Sequence, residues 1–73
     1  MSGDARVKPE SRTGQVGETW GNLLLPEGQL SVHDRFLFEG EESAAPFEVK
    51  RLLSWPLDPK LRLVYYESTK RHG

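Results

Sequence analysis

Short runs of alternating apolar and polar side chains, cut at regular intervals by proline and glycine, constrain this chain more than any other feature. They recur at Asp34-Arg35-Phe36-Leu37-Phe38, at Phe47-Glu48-Val49-Lys50-Arg51-Leu52-Leu53 and at Leu61-Arg62-Leu63-Val64-Tyr65-Tyr66. Successive side chains of a strand point to opposite faces, so such runs read as half-buried strands. Trp20 to Leu25 forms an earlier apolar run, closed by a Pro26-Glu27-Gly28 turn. Leu30 and Val32 alternate with Ser31 and His33 as a short strand entry. Pro56 and Pro59 bracket Leu57-Asp58 and force a non-helical turn. Turns at this spacing predict an all-β fold, a small SH3-like barrel or sandwich of four or five short antiparallel strands.

Each strand has a predicted inward face. Leu24, Leu30, Val32, Phe36, Phe38, Phe47, Val49, Leu53, Leu61, Leu63 and Tyr65 make up the expected core. The alternation breaks at Arg51-Leu52, where a polar residue falls on the apolar face, and a β-bulge there would restore register. Residues 39–46 read as the longest internal loop, with 41–45 as loop or a single helical turn.

Composition sets the boundaries. Residues 1–18 carry Met1, Ala5, Val7 and Val16 among Ser, Gly, Asp, Arg, Lys, Pro and Glu. Such a segment buries too little surface to offset its ordering entropy, so it reads as a flexible arm. The domain is expected over 19–67, with 68–73 as a flexible tail. About 50 residues is close to the lower limit for an independent core, so help from a partner or from self-association fits the size.

The charged residues exclude several function classes. Ten basic and 11 acidic side chains give a net charge of −1. Phosphate neutralisation drives nucleic-acid affinity, and the strong basic excess usual in a dedicated DNA-binding domain is missing here. No apolar run approaches a membrane span, and the N-terminus lacks the apolar stretch of a signal peptide. The expected setting is the cytoplasm. Without cysteine there is neither a disulfide framework nor a thiolate site. His33 and His72 are too few for a conventional zinc centre. No metal and no cofactor are expected.

Four constellations could carry chemistry. Glu39, Glu41, Glu42 and Glu48 could hold a cation, but they lack the ligand spacing of a calcium loop and read better as a solvated turn. His33-Asp34 could be a base and its orienter, but no nucleophile stands beside it. Lys50, Arg51 and Arg62 with Trp55, Tyr65 and Tyr66 could form a stacking platform for a single strand. Against that, the cations can pair with Glu48 and Glu67 across the ladder. Trp20 and Leu23 to Leu25 are apolar on both faces of one strand, so half of them are candidate contact surface. An interface needs an apolar, aromatic centre with arginines at its rim. Trp20, Leu23, Trp55 and Tyr66 are the candidates for the centre, with Arg51 and Arg62 at the rim. No catalytic residue is assigned, and an enzyme is not expected.

The pattern Val32-His33-Asp34-Arg35-Phe36-Leu37-Phe38, Gly40, Phe47-Glu48-Val49 and Leu61 to Glu67 resembles the C-terminal half of tailed-phage head–tail connector proteins of the head-closure or stopper group. Gly14 to Trp20 resembles the glycine-containing hairpin that opens such barrels. The resemblance covers about 35 to 50 residues. The long central loop of that group is missing here, which argues against a gatekeeping role. The resemblance implies a ring-forming, non-enzymatic structural protein, with virion neighbours as partners and the host cytoplasm or virion as its location. The alternatives are a small protein-binding inhibitor or host-interaction protein of a mobile element, and a nucleic-acid-binding small barrel.

Overall fold

A computed structural model describes residues 5–17, 19–40 and 45–69. They form six strands and no helix: β1 (Ala5–Val7), β2 (Ser11–Val16), β3 (Trp20–Pro26), β4 (Arg35–Phe38), β5 (Phe47–Ser54) and β6 (Leu61–Ser68). One sheet contains all six, in the order β1-β4-β5-β6-β3-β2. Every neighbouring pair is antiparallel except β1 and β4, which run parallel. The fold is all-β, as the alternation predicts, with six strands instead of four or five.

The first two strands make the sheet curl. β1 and β2 lie at opposite edges, yet Lys8, Pro9 and Glu10 alone connect them. That connection reaches roughly 14 Å at full extension. Six strands laid flat would hold their edges about 24 Å apart. The sheet therefore wraps into a half-barrel, with its two edges facing each other across a seam. Arg12 on β2 spans it, its guanidinium 3.9 Å from the centre of the Phe38 ring on β4. This contact contributes about 0.5–1 kcal/mol at an exposed site.

These strands lie within the segment 1–18, predicted to be a flexible arm, and residues 5–7 and 11–16 correct that boundary. Their stabilisation is not local. Val7 is buried in the core, the Val7 carbonyl accepts from the Glu39 N–H at 2.9 Å, and β2 ladders against β3. Residues 1–4 fall outside the described set. At the other end β6 runs through Ser68, and Thr69 donates its N–H to the Pro46 carbonyl at 3.0 Å. The predicted tail therefore starts later than residue 68, and residues 70–73 lie outside the described set. Residues 41–44, where a helical turn was an option, are also outside it.

The concave side holds the core. Phe36, Phe38, Phe47 and Tyr66 pack ring against ring with centroids 5.0–5.8 Å apart, mostly edge to face. That geometry suits the aromatic quadrupole. Val7, Leu23, Leu25, Leu30, Val49 and Val64 complete the cluster, with Leu52 packed against it.

This core differs from the predicted one on three strands, and on β3 Leu23 and Leu25 fill the concave cluster where Leu24 was expected. On β6 the inward residues are Val64 and Tyr66, while Leu61, Leu63 and Tyr65 are only half-buried. Gly21 of β3 decides the phase. It lies opposite Tyr66, and its missing side chain leaves room for the phenol. On β5 the register shifts between Val49 and Arg51, one residue before the predicted bulge. Lys50 is the extra residue, so Leu52 lines up with Val64 and Leu53 turns outward. The predicted strand entry at Val32 is instead a turn over Ser31–Asp34. The Asp34 N–H donates to the Ser31 carbonyl, and Val32 is exposed. His33 holds the third position of that turn at φ 77°, a left-handed conformation uncommon for a side chain other than glycine. Gly14, at φ 72°, occupies the equivalent conformation where the β2–β3 register shifts.

Candidate protein-docking face

A strand that fills a core with one face presents the other outward, and outward faces of antiparallel sheets are ordinarily polar. Here the convex face of β5, β6 and β3 is largely apolar. Register assembles it in rows. Leu53, Leu63 and Leu24 stand side by side across the three strands. The next row is Arg51, Tyr65 and Asn22, and the row beyond that is Glu48, Glu67 and Trp20. Leu61 and Pro26 extend the face at its other end. Leu53 is 49% exposed and Trp20 37%. Leu24 is buried but stands apart from the concave cluster, as its outward position requires.

The predicted interface residues do not share one surface. Leu23 and Tyr66 are fully buried on the concave side, which corrects their assignment to a contact surface. Both alternate with outward residues that sequence reasoning had placed in the core. Trp20 and Arg51 stand on the convex face. Trp55 is half-buried just beyond the end of β5. Arg62 points to the concave end of the barrel. It donates to Glu27 Oε2 at 2.6 Å and to the carbonyls of Pro59 and Leu61 at 2.9 Å each. It clasps the β3–β4 turn to the β5–β6 connection, beside a shallow hollow of about 180 Å³ lined by Leu25, Leu30, Leu52 and Val64. Leu53, Leu61, Leu63 and Tyr65 are the face residues that the sequence reading missed. The consecutive charges Lys50 and Arg51 were the available signal, because they mark where the strand changes phase.

Two polar clusters border the face. The Trp20 and Tyr65 rings lie 6.1 Å apart at 58°. The Tyr65 hydroxyl donates to Glu67 Oε2 at 2.9 Å. This hydrogen bond, helped by partial burial and the Glu67 charge and opposed by Arg51, holds the phenol above its ordinary value of 10.0. In the second cluster His33 Nδ1 lies 3.2 Å from Glu48 Oε2, and Lys50 Nζ lies 3.8 Å from Glu48 Oε1. His33 does not orient on Asp34, whose carboxylate accepts from the Ser31 N–H. Among the described residues no group of three or more His, Asp or Glu side chains gathers to hold a metal ion.

The hydrogen bond from His33 keeps the Glu48 carboxyl below its ordinary value of 4.5. Desolvation opposes the shift, and the Lys50, His33 and Arg35 charges add to it. A lowered carboxylate pKa contributes stability that is complete above the unfolded value and lost as pH falls through the folded one. Melting curves taken at successive pH values below 4.5 should therefore show a shallower acid loss for Glu48→Gln than for the parent. Equal acid limbs would mean that the cluster contributes nothing to folding.

Comparison with protein-family models, with curated proteins and with solved structures finds no match to this chain.

Proposed function

We propose that this chain is a non-enzymatic adaptor domain that holds protein partners against the convex face of β5, β6 and β3. The observation that carries the reading is the outward set Leu53, Leu63, Tyr65 and Trp20, beside the buried Leu24 on the side of the sheet that the core does not use. Contiguous outward apolar surface of this kind marks interaction sites, because leaving it in water is unfavourable. The polar margin of Arg51, Glu48 and Glu67 around an apolar centre has the anatomy of an interface. The resemblance of the Val32–Glu67 region to phage head-closure proteins makes a ring-forming component of a head–tail connector the specific form of this reading. Carboxylates at the margin would repel phosphates, so a protein suits the face better than a nucleic acid.

Light scattering of the parent and of Leu53→Glu over a wide concentration range, with the proteins co-purified by each, tests the reading. Leu53 is half exposed, so the charge should leave the melting temperature within a few degrees of the parent. The expected result is association in the parent, with itself or with a partner, that Leu53→Glu abolishes. Identical mass and identical co-purified proteins for both would overturn it.

A further inference from the structure

We infer that the protein partner of this face presents a basic side chain, arginine or lysine, to the end where Trp20, Tyr65 and Glu67 meet. The inference rests on the docking reading above and adds the chemistry of the partner. Glu48 and Glu67 stand directly opposite each other on neighbouring strands and share the convex face. Like charges so placed repel. Glu48 is compensated by His33 and Lys50. Glu67 has only the neutral Tyr65 hydroxyl, with no cation in ion-pair reach among the described residues. The carboxylate therefore stands without an ion-pair partner among the described residues beside two tilted aromatic rings, one of them Trp20, which register sets directly opposite Glu67 on β3.

That combination selects a cation. An indole and a phenol face offer negative quadrupoles to an ammonium or guanidinium group. Glu67 keeps lone pairs beyond the one used by Tyr65 and can accept a charge-assisted hydrogen bond. Beyond the row of Arg51, Tyr65 and Asn22, Leu53 and Leu63 continue the same face, so the fitting partner segment carries apolar side chains two strand rows away from its cation. An acidic partner would meet an uncompensated carboxylate and be rejected, and that repulsion adds specificity.

Two synthetic peptides decide it: acetyl-Leu-Arg-Leu-Arg-Leu-amide and its twin with glutamate in place of arginine. They are titrated into a Trp55→Phe background, in which Trp20 is the remaining indole, and binding is followed by fluorescence and by amide shifts. The arginine peptide should bind roughly tenfold or more tighter than the glutamate peptide, as a cation–π contact plus a charge-assisted hydrogen bond implies. Its affinity should fall with added salt. Glu67→Gln, first shown to melt like the parent, should cut the arginine peptide's affinity several-fold and leave the glutamate peptide no weaker. Equal affinities for the two peptides, or an unchanged arginine affinity in Glu67→Gln, would overturn the cation assignment while leaving the docking face intact. Binding of neither peptide would overturn the cation assignment, and the docking reading falls with it if Leu53→Glu is also silent.

Discussion

Phe36→Ala is expected to leave the chain largely unfolded at room temperature. The Phe36 ring is fully buried and touches Phe38, Phe47 and Tyr66, so it sits at the centre of the aromatic cluster. Truncating a buried phenylalanine costs about 3–5 kcal/mol, the transfer term plus the cavity left behind. A single core in a chain this small supplies about that much in total. Phe36 also sits on a four-residue strand whose register pairs with β5, among the described residues, are Arg35 with Glu48 and Phe36 with Phe47. Circular dichroism and amide dispersion measure the outcome. A cooperative melt close to that of the parent would show that the concave cluster is not the core.

The second large effect is expected at Gly21. A methyl group placed there would lie 2.5 Å from the Tyr66 hydroxyl oxygen, 2.9 Å from its ring carbon and 3.1 Å from the Gln15 carbonyl. Tyr66 is buried among three phenylalanines, and Gln15 is backbone on the neighbouring strand. Neither can yield cheaply. Overpacking of this kind costs about 1–3 kcal/mol, enough to consume most of the stability of a small domain. Gly17→Ala is the control, since its methyl would meet nothing closer than the Trp20 carbonyl at 3.6 Å. Chemical denaturation should show a large drop in midpoint for Gly21→Ala and little change for Gly17→Ala. Equal midpoints would mean that Tyr66 does not pack over Gly21.

The parts of this fold that the sequence announces are those governed by local chemistry. Pro26-Glu27-Gly28 turns where its residues demand, and the Pro56–Pro59 connection is built from turns at Asp58, whose carboxylate accepts from the Lys60 N–H. Phe47 and Val49 fall on the predicted face because Glu48 and Lys50 leave a single choice of phase, and Phe36 and Phe38 do so because Arg35 and Glu39 flank them. On β6 both phases are apolar, Leu61, Leu63 and Tyr65 against Val64 and Tyr66, so alternation alone cannot select one. Partners on other strands make the choice: Gly21 admits Tyr66, and the bulge at Lys50 sets Leu52 against Val64. The same ambiguity affected the convex face. Trp20 and Arg51 stood out in the sequence, whereas Leu53, Leu63 and Tyr65 were hidden among expected core residues. β1 was illegible for another reason. Its partner β4 lies about thirty residues away in sequence, and no short window of polar residues reveals a long-range ladder.

The crossing of the seam by the first strands bears on how the chain keeps clear of its own kind. β1 has three residues and joins the sheet by a parallel ladder, the less stable form per residue. It lies over the backbone of Phe36 to Phe38, and β4 has β5 on its other side. When β1 lifts away, β4 becomes a bare edge carrying two aromatic residues, a template for pairing with another molecule. This ladder joins three residue pairs across about thirty residues of chain, so it gains little pairing for the loop it closes and opens early. Three residues at the start of the fold thus act as a selvedge, covering the aromatic border of β4 along which copies of the protein could knit together.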